Sequence, residues 1–251
     1  MKRLLITLLI TVTLNQVFAL AFKDGEKLVF GVKYGLVSPA EATITANSST
    51  YQGVPVWYLK IEAHTHSFFD TVFKIRDKVE SWWRKDSLVP MKFSKVLQEG
   101  TYRQNRTHTF DHQAKTTVYS KYSFKNQTYK TQTLPIPGNT QDVLSSFFYV
   151  RNQNLVPGSK VIINITTDGK SVNTETVVHR RESIDTIFGY TPCLVIEPKL
   201  KSEGVFKQSG KITIWVTDDA YKIPVRMESA VSFGSFVATL KSAQNVPYKI
   251  K

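Results

Sequence analysis

The sequence predicts an all-β, mainly antiparallel protein. Its architecture is a large curved sheet, a half-open barrel or sandwich, built from two pseudo-repeated halves with one substantial helix between them. Three observations carry this. Apolar and polar residues alternate along many short runs, turn-forming dipeptides recur between the runs, and stretches of the first half return in order in the second.

In the first clear run Leu28, Phe30, Val32 and Tyr34 alternate with Val29, Gly31 and Lys33. Further on, Phe73, Ile75, Val79 and Trp83 alternate with Lys74, Arg76, Lys78 and Glu80. Near the end Tyr221, Ile223, Val225 and Met227 alternate with Lys222, Pro224, Arg226 and Glu228. Successive strand residues point to opposite faces, so period two with one apolar face marks a half-buried antiparallel strand. Pro137-Gly138-Asn139, Pro157-Gly158, Asp168-Gly169 and Asp218-Asp219 supply turns. Roughly a dozen strands are expected on this pattern.

One segment departs from period two. Val143, Leu144, Phe147, Phe148 and Arg151 stand at helical spacing, with Pro137-Gly138 before them and Pro157-Gly158 after. A helix is expected over about 140–152, capped by Asn139 or Thr140, with Asp142 in its first turn. Phe147 and Phe148 stand about 100° apart around its axis. One is expected to point into the interior and the other to pack sideways on the sheet.

The repeat runs across this helix. Gly25–Phe30 resembles Gly158–Ile163, Gln52–Glu62 resembles Phe188–Glu197, and Lys78–Trp83 resembles Lys211–Val216. The halves span about 22–135 and 155–251, within a single β domain of residues 22–251.

The N-terminus has the parts of a secretory leader, expected over residues 1–21. Lys2 and Arg3 precede an apolar run from Leu4 to Leu14, and Ala19-Leu20-Ala21 offers small residues for cleavage before Phe22. Val17-Phe18-Ala19 offers an alternative cut before Leu20. The apolar run is shorter than the roughly 20 residues that a spanning helix requires. No later segment is apolar enough to span, so no transmembrane segment is expected after cleavage. The expected location is the periplasm, with secretion as the alternative.

The chain carries a formal net charge of +13, of which only Lys2 and Arg3 belong to the leader. A basic surface favours polyanions such as anionic headgroups or acidic glycans, and export argues against nucleic acid. The single cysteine, Cys193, cannot form an intramolecular disulfide and reads as a buried small hydrophobe in the run Cys193–Ile196.

Chemical motifs are sparse. The sequence has no Gly-x-Ser-x-Gly elbow, His-Glu-x-x-His helix, phosphate-binding loop or dinucleotide fingerprint, and no cofactor is expected. His64 and His66, two apart on a strand, could face one metal ion, but further ligands are missing nearby. His108 and His112 read as lying across a turn. Asp77 falls in register with the inward apolar residues, where a carboxylate must be paired or protonated, and Arg106 is a candidate partner. The candidate ligand-binding set is Phe73, Asp77, Trp83, Phe93, Phe147, Phe148 and Trp215. Lys74, Arg76 and Lys78 on one strand face, with Arg84 and Lys85, form the candidate basic surface.

Several stretches resemble a known exported bacterial family. They are Gly25–Phe30, Lys74–Ser81, Asp142–Arg151 and Trp215–Asp219 with Ile223–Met227. The family is the Domain of Unknown Function 3108 group. The resemblance covers nearly all of the chain after the leader, and no activity or catalytic residue comes with it. A fold-level likeness to periplasmic lipoprotein carriers rests on the strand meander, the helix beside an apolar interior, and residues 215–226. It implies a lipid site in a half-open barrel.

Three functions follow as expectations. The first is a non-enzymatic envelope protein that binds an apolar or amphiphilic ligand, a lipid or lipidated partner, between its halves. The second is a basic scaffold docking on an anionic envelope component. The third is a hydrolase or metal-dependent enzyme using Asp77 or the His64–His66 pair.

Overall fold

A computed structural model describes residues 19–200, 211–231 and 234–249. The expected leader falls largely on residues 1–18, outside the described residues. The first half runs β1 (Glu26–Tyr34), β2 (Val37–Tyr51), β3 (Val54–Thr65), a one-turn helix α1 (Ser67–Asp70), β4 (Arg76–Arg84), β5 (Pro90–Glu99), β6 (Tyr102–Asp111), β7 (Thr116–Ser123) and β8 (Thr128–Pro135). Helix α2 (Val143–Arg151) follows. The second half runs β9 (Lys160–Thr167), β10 (Lys170–Thr186), β11 (Gly189–Leu200), β12 (Ile212–Thr217), β13 (Pro224–Val231) and β14 (Gly234–Gln244).

Among the described residues these fourteen strands form one antiparallel sheet in the order β8 through β1, then β14 through β9. Each half is a meander of hairpins. They join where β1 pairs with β14, Phe30 opposite Leu240. The outer strands, β8 and β9, do not pair, so the sheet curls without closing. Instead the β9–β10 turn is held on β5 and β6. Asp168 sits between Lys95, 2.7 Å away, and Arg106, 2.8 Å away. Arg106 is thus the partner of Asp168 and not of Asp77.

The pseudo-repeat is visible in backbone geometry. By the sequence matches β1, β3 and β4 correspond to β9, β11 and β12. The β4–β5 pairing shifts register between Trp82 and Trp83, and the β12–β13 pairing shifts between the matched residues Trp215 and Val216. Leu88 and Lys222 both adopt positive φ, 52° and 44°, two residues before the prolines that open β5 and β13.

Helix α2 crosses the interior from β8 to β9. Its cap is Asp142, not Asn139 or Thr140. The Asp142 carboxylate accepts from the Leu144 and Ser145 backbone N–H groups, both at 2.8 Å, and Ser145 returns the bond to the Asp142 N–H. The helix therefore begins later than its apolar pattern suggests. Gln141 is drawn off to a parallel bridge with Ile165 on β9. Two contacts seat the start of the helix on β4. Ser81 donates to Asp142 at 2.6 Å, and the Trp83 indole donates to Gln141 at 2.9 Å. Burial pushes the Asp142 carboxyl up to about 6, against four hydrogen bonds that pull it down.

Candidate functional site

Helix α2 divides the interior into a packed side and an open side. On the packed side Phe148 meets Phe22 edge-on, with ring centroids 5.0 Å apart, and Phe22 stacks on Trp83 at 6.3 Å. Leu28, Leu59 and Phe93 complete this core, and Leu144 lies between it and the open side. On the other side, between α2 and the two halves of the sheet, lies a cavity of about 290 Å3. The first half contributes Ile44, Ile61 and Val79 to its wall. The second contributes Ile163, Ile165, Ile196, Ile212, Ile214 and Met227. Phe147 and Val150 close it from the helix.

Few polar side chains reach this cavity, and two of them are already satisfied. The Ser146 hydroxyl donates to the Val143 carbonyl at 2.8 Å, and Thr174 donates to the Lys199 carbonyl at 2.6 Å. Thr176 also lines the cavity, and the rest of the wall presents hydrocarbon. Its volume is just below the roughly 300–1,000 Å3 usual for small-molecule sites. The cavity lies off centre along the strands. Ile61, Val79, Ile212 and Ile214 line it, whereas Leu59, Trp83 and Val216, farther from the Thr65 end of β3, are packed.

Of the aromatic residues expected at a ligand, Phe147 lines the cavity. Phe148, Trp83 and Phe93 are instead fully buried core and do not reach the cavity. Trp215 lies on the opposite face of β12 from Ile214. Its indole donates to Glu182, and the Arg226 guanidinium lies 5.3 Å from its ring. Phe73 does not reach the cavity either. It precedes β4, is half exposed, and covers Gly100 at the β5–β6 turn. Alternation read from Phe73 ran through residues that are not yet strand. The aliphatic wall was missed because isoleucines on a half-buried face carry no signal that separates cavity from core.

Asp77 faces inward on β4 but lies outside the cavity wall. It accepts from the Gln98 backbone N–H at 2.9 Å, and burial together with neighbouring Glu99 pushes it up to about 6. His64 and His66 are exposed, with rings 6.2 Å apart. Among the described residues no three His, Cys, Asp or Glu side chains converge as a metal set. The expected basic strand face is largely neutralised. Arg76 grips Asp70 through two bonds, Lys78 pairs with Glu80 at 3.2 Å, and Arg84 pairs with Asp86 at 2.6 Å. Lys85 donates to Ser48 and lies 4.2 Å over the Trp57 ring. Lys74 stays exposed in the loop before β4.

His108 is not at a turn. It lies fully buried within β6, stacked 4.7 Å from Tyr119. The Gly169 N–H donates to its Nε2 at 3.3 Å, so the neutral ring carries its proton on Nδ1, 3.2 Å from Thr117 Oγ1. Burial pulls its pKa down to about 4. His108 thus completes the seat for the β9–β10 turn. Cys193 is buried, and its thiol is pushed up to about 12 by burial.

A family model described as "Protein of unknown function (DUF3108)" matches residues 29–241. The chain belongs to this family. No curated protein matches it. Among solved structures, a beta-barrel-like protein of domain of unknown function DUF1849 from Brucella abortus is similar, with a TM-score of 0.58 and 9% identity. The match covers 89% of this chain and 98% of that one. At that identity the likeness is one of fold, a barrel-like curl of antiparallel strands. Among the described residues of this DUF3108 member, no helix is long and apolar enough to cross a membrane.

Proposed function

We propose that the protein is a non-enzymatic binder of an apolar or amphiphilic molecule, an acyl chain or similar hydrocarbon, which enters the cavity beside α2. It works in the periplasm or another extracytoplasmic compartment, reached through the N-terminal leader. The cavity wall carries this reading. It is largely hydrocarbon from both halves of the sheet and from the helix, and its Ser146 and Thr174 hydroxyls bond to main chain. A ligand with hydrogen-bonding groups at that depth would lose its water without replacement, at a cost of about 1–3 kcal/mol per group, whereas a methylene chain loses nothing. Removing it from water gains about 0.8 kcal/mol per methylene.

Titration with dodecanoic acid carrying a dansyl label tests the reading. Saturable binding with a blue shift is expected, and Ile61→Phe with Ile214→Phe should abolish it while leaving the melting temperature unchanged or higher. Equal binding by the filled variant would overturn the proposal.

A further inference from the structure

The sheet has two ends, and they differ. At one end lie the turns that follow β1, β3, β5, β7 and β13, and at the other the turns that follow β2, β4, β6, β10 and β12. Ten of the fifteen exposed large hydrophobic side chains among the described residues belong to the first end, whereas Val118 and Tyr190 lie toward the second. The densest part is the β1–β2 turn with Tyr34, Leu36 and Val37, beside the α1 loop with Phe68, Val72 and Phe73.

These pieces form one surface. The His66 N–H donates to the Pro39 carbonyl at 2.9 Å, which ties the α1 loop to the start of β2. Phe73 lies against Gly100, and the Gly100 N–H donates to the Lys74 carbonyl at 2.8 Å, which ties the loop to the β5–β6 turn. Exposed basic residues occur at both ends, and the most exposed acids lie at one. Lys33, Lys74, Arg103 and Lys125 are exposed at the apolar end. The exposed carboxylates among the described residues, Asp24, Asp86, Asp111 and Asp185, all lie toward the opposite end. The cavity is displaced toward the apolar end, on the Thr65 side of Leu59.

We infer that this end docks on a lipid bilayer with anionic headgroups. Leu36, Phe68 and Val72 enter the interfacial region, and the basic residues meet the phosphates. A protein partner of like apolarity would require no basic side chains beside the apolar surface. A bilayer surface with a negative potential accounts for both features. Docking does not rest on the cavity being a ligand site, because it uses side chains outside the cavity wall.

Co-sedimentation of the purified, delipidated protein with vesicles separates the possibilities. It should pellet with vesicles of phosphatidylglycerol and phosphatidylcholine mixed, and much less with phosphatidylcholine alone. Raising the salt should weaken the binding, because exposed charges are screened within about 10 Å at 0.1 M. The triple variant Leu36→Asp, Phe68→Asp, Val72→Asp should lose roughly a thousandfold in affinity, since each apolar side chain withheld from the interface is worth about tenfold. Its melting temperature should be unchanged because all three side chains are exposed. Tyr190→Asp, at the opposite end, should bind as the parent does. A parent protein that stays in the supernatant with both vesicle types would overturn the inference. So would a folded triple variant that binds equally well, or a Tyr190→Asp loss of the same size.

Discussion

Arg151 and Glu26 form a bidentate ion pair, at 2.6 and 2.9 Å, between side chains that are 1% and 3% exposed. The guanidinium also donates to the Ala21 carbonyl at 3.0 Å and the Tyr221 carbonyl at 3.2 Å. One side chain at the end of α2 thereby joins the N-terminal segment, β1 and the turn before β13. Arg151→Met strands a buried carboxylate and should cost about 3–5 kcal/mol in urea unfolding. Adding Glu26→Gln should recover most of that loss, since the expense lies in the unpaired charge. An equal loss in both variants would contradict this.

The same contact bears on processing. Ala21 is buried, and its N–H donates to Asn152 at 2.8 Å while its carbonyl accepts from Arg151. Cleavage before Phe22 would remove both bonds and set a new ammonium beside the guanidinium. Cleavage before Leu20 keeps both. N-terminal sequencing of exported protein is expected to read Leu20-Ala21-Phe22, and a start at Phe22 would refute the argument.

The strand pattern, the turns, the helix and the repeat were legible in the sequence because each is local: period, propensity and dipeptide chemistry. What was not legible depends on distant partners. Glu26 and Arg151 lie 125 positions apart, and no periodicity links them. The register shift at Trp82/Trp83 leaves the alternation intact and adds nothing to composition. His108 reads as lying across a turn until Gly169, 61 positions away, arrives against its ring. The cavity escaped because Ile61, Ile163 and Ile214 look alike whether a neighbour fills the space before them or leaves it open.

His108 gives the fold an acid sensitivity of known sign. Its folded pKa of about 4 lies below the unfolded value of 6.5, so the unfolded chain binds more protons between those values. Its contribution is complete above pH 6.5 and is lost as pH falls toward 4. Asp77 and Asp142, both raised to about 6, act in the opposite sense. The His108→Gln comparison isolates the histidine. The stability gap between parent and variant should narrow by up to about 3 kcal/mol from pH 7.5 to 4. A constant gap would exclude the buried neutral ring.

The two adjacent phenylalanines of α2 should behave differently. Phe148 is fully buried against Phe22, so Phe148→Ala should cost about 3–5 kcal/mol. Phe147 borders the cavity and is only partly buried, so Phe147→Ala should cost less. It should change dodecanoate binding more than stability. Melting curves with a binding titration on each variant check this. Equal stability losses with unchanged binding would make α2 simple core.

The most direct test is native mass spectrometry of the protein extracted from its own envelope without denaturation, beside the variant Ile61→Phe with Ile214→Phe. The parent should carry a bound molecule that extracts into organic solvent, and the filled variant should be bare. A bare parent, or the same adduct on both proteins, would contradict a ligand in the cavity beside α2.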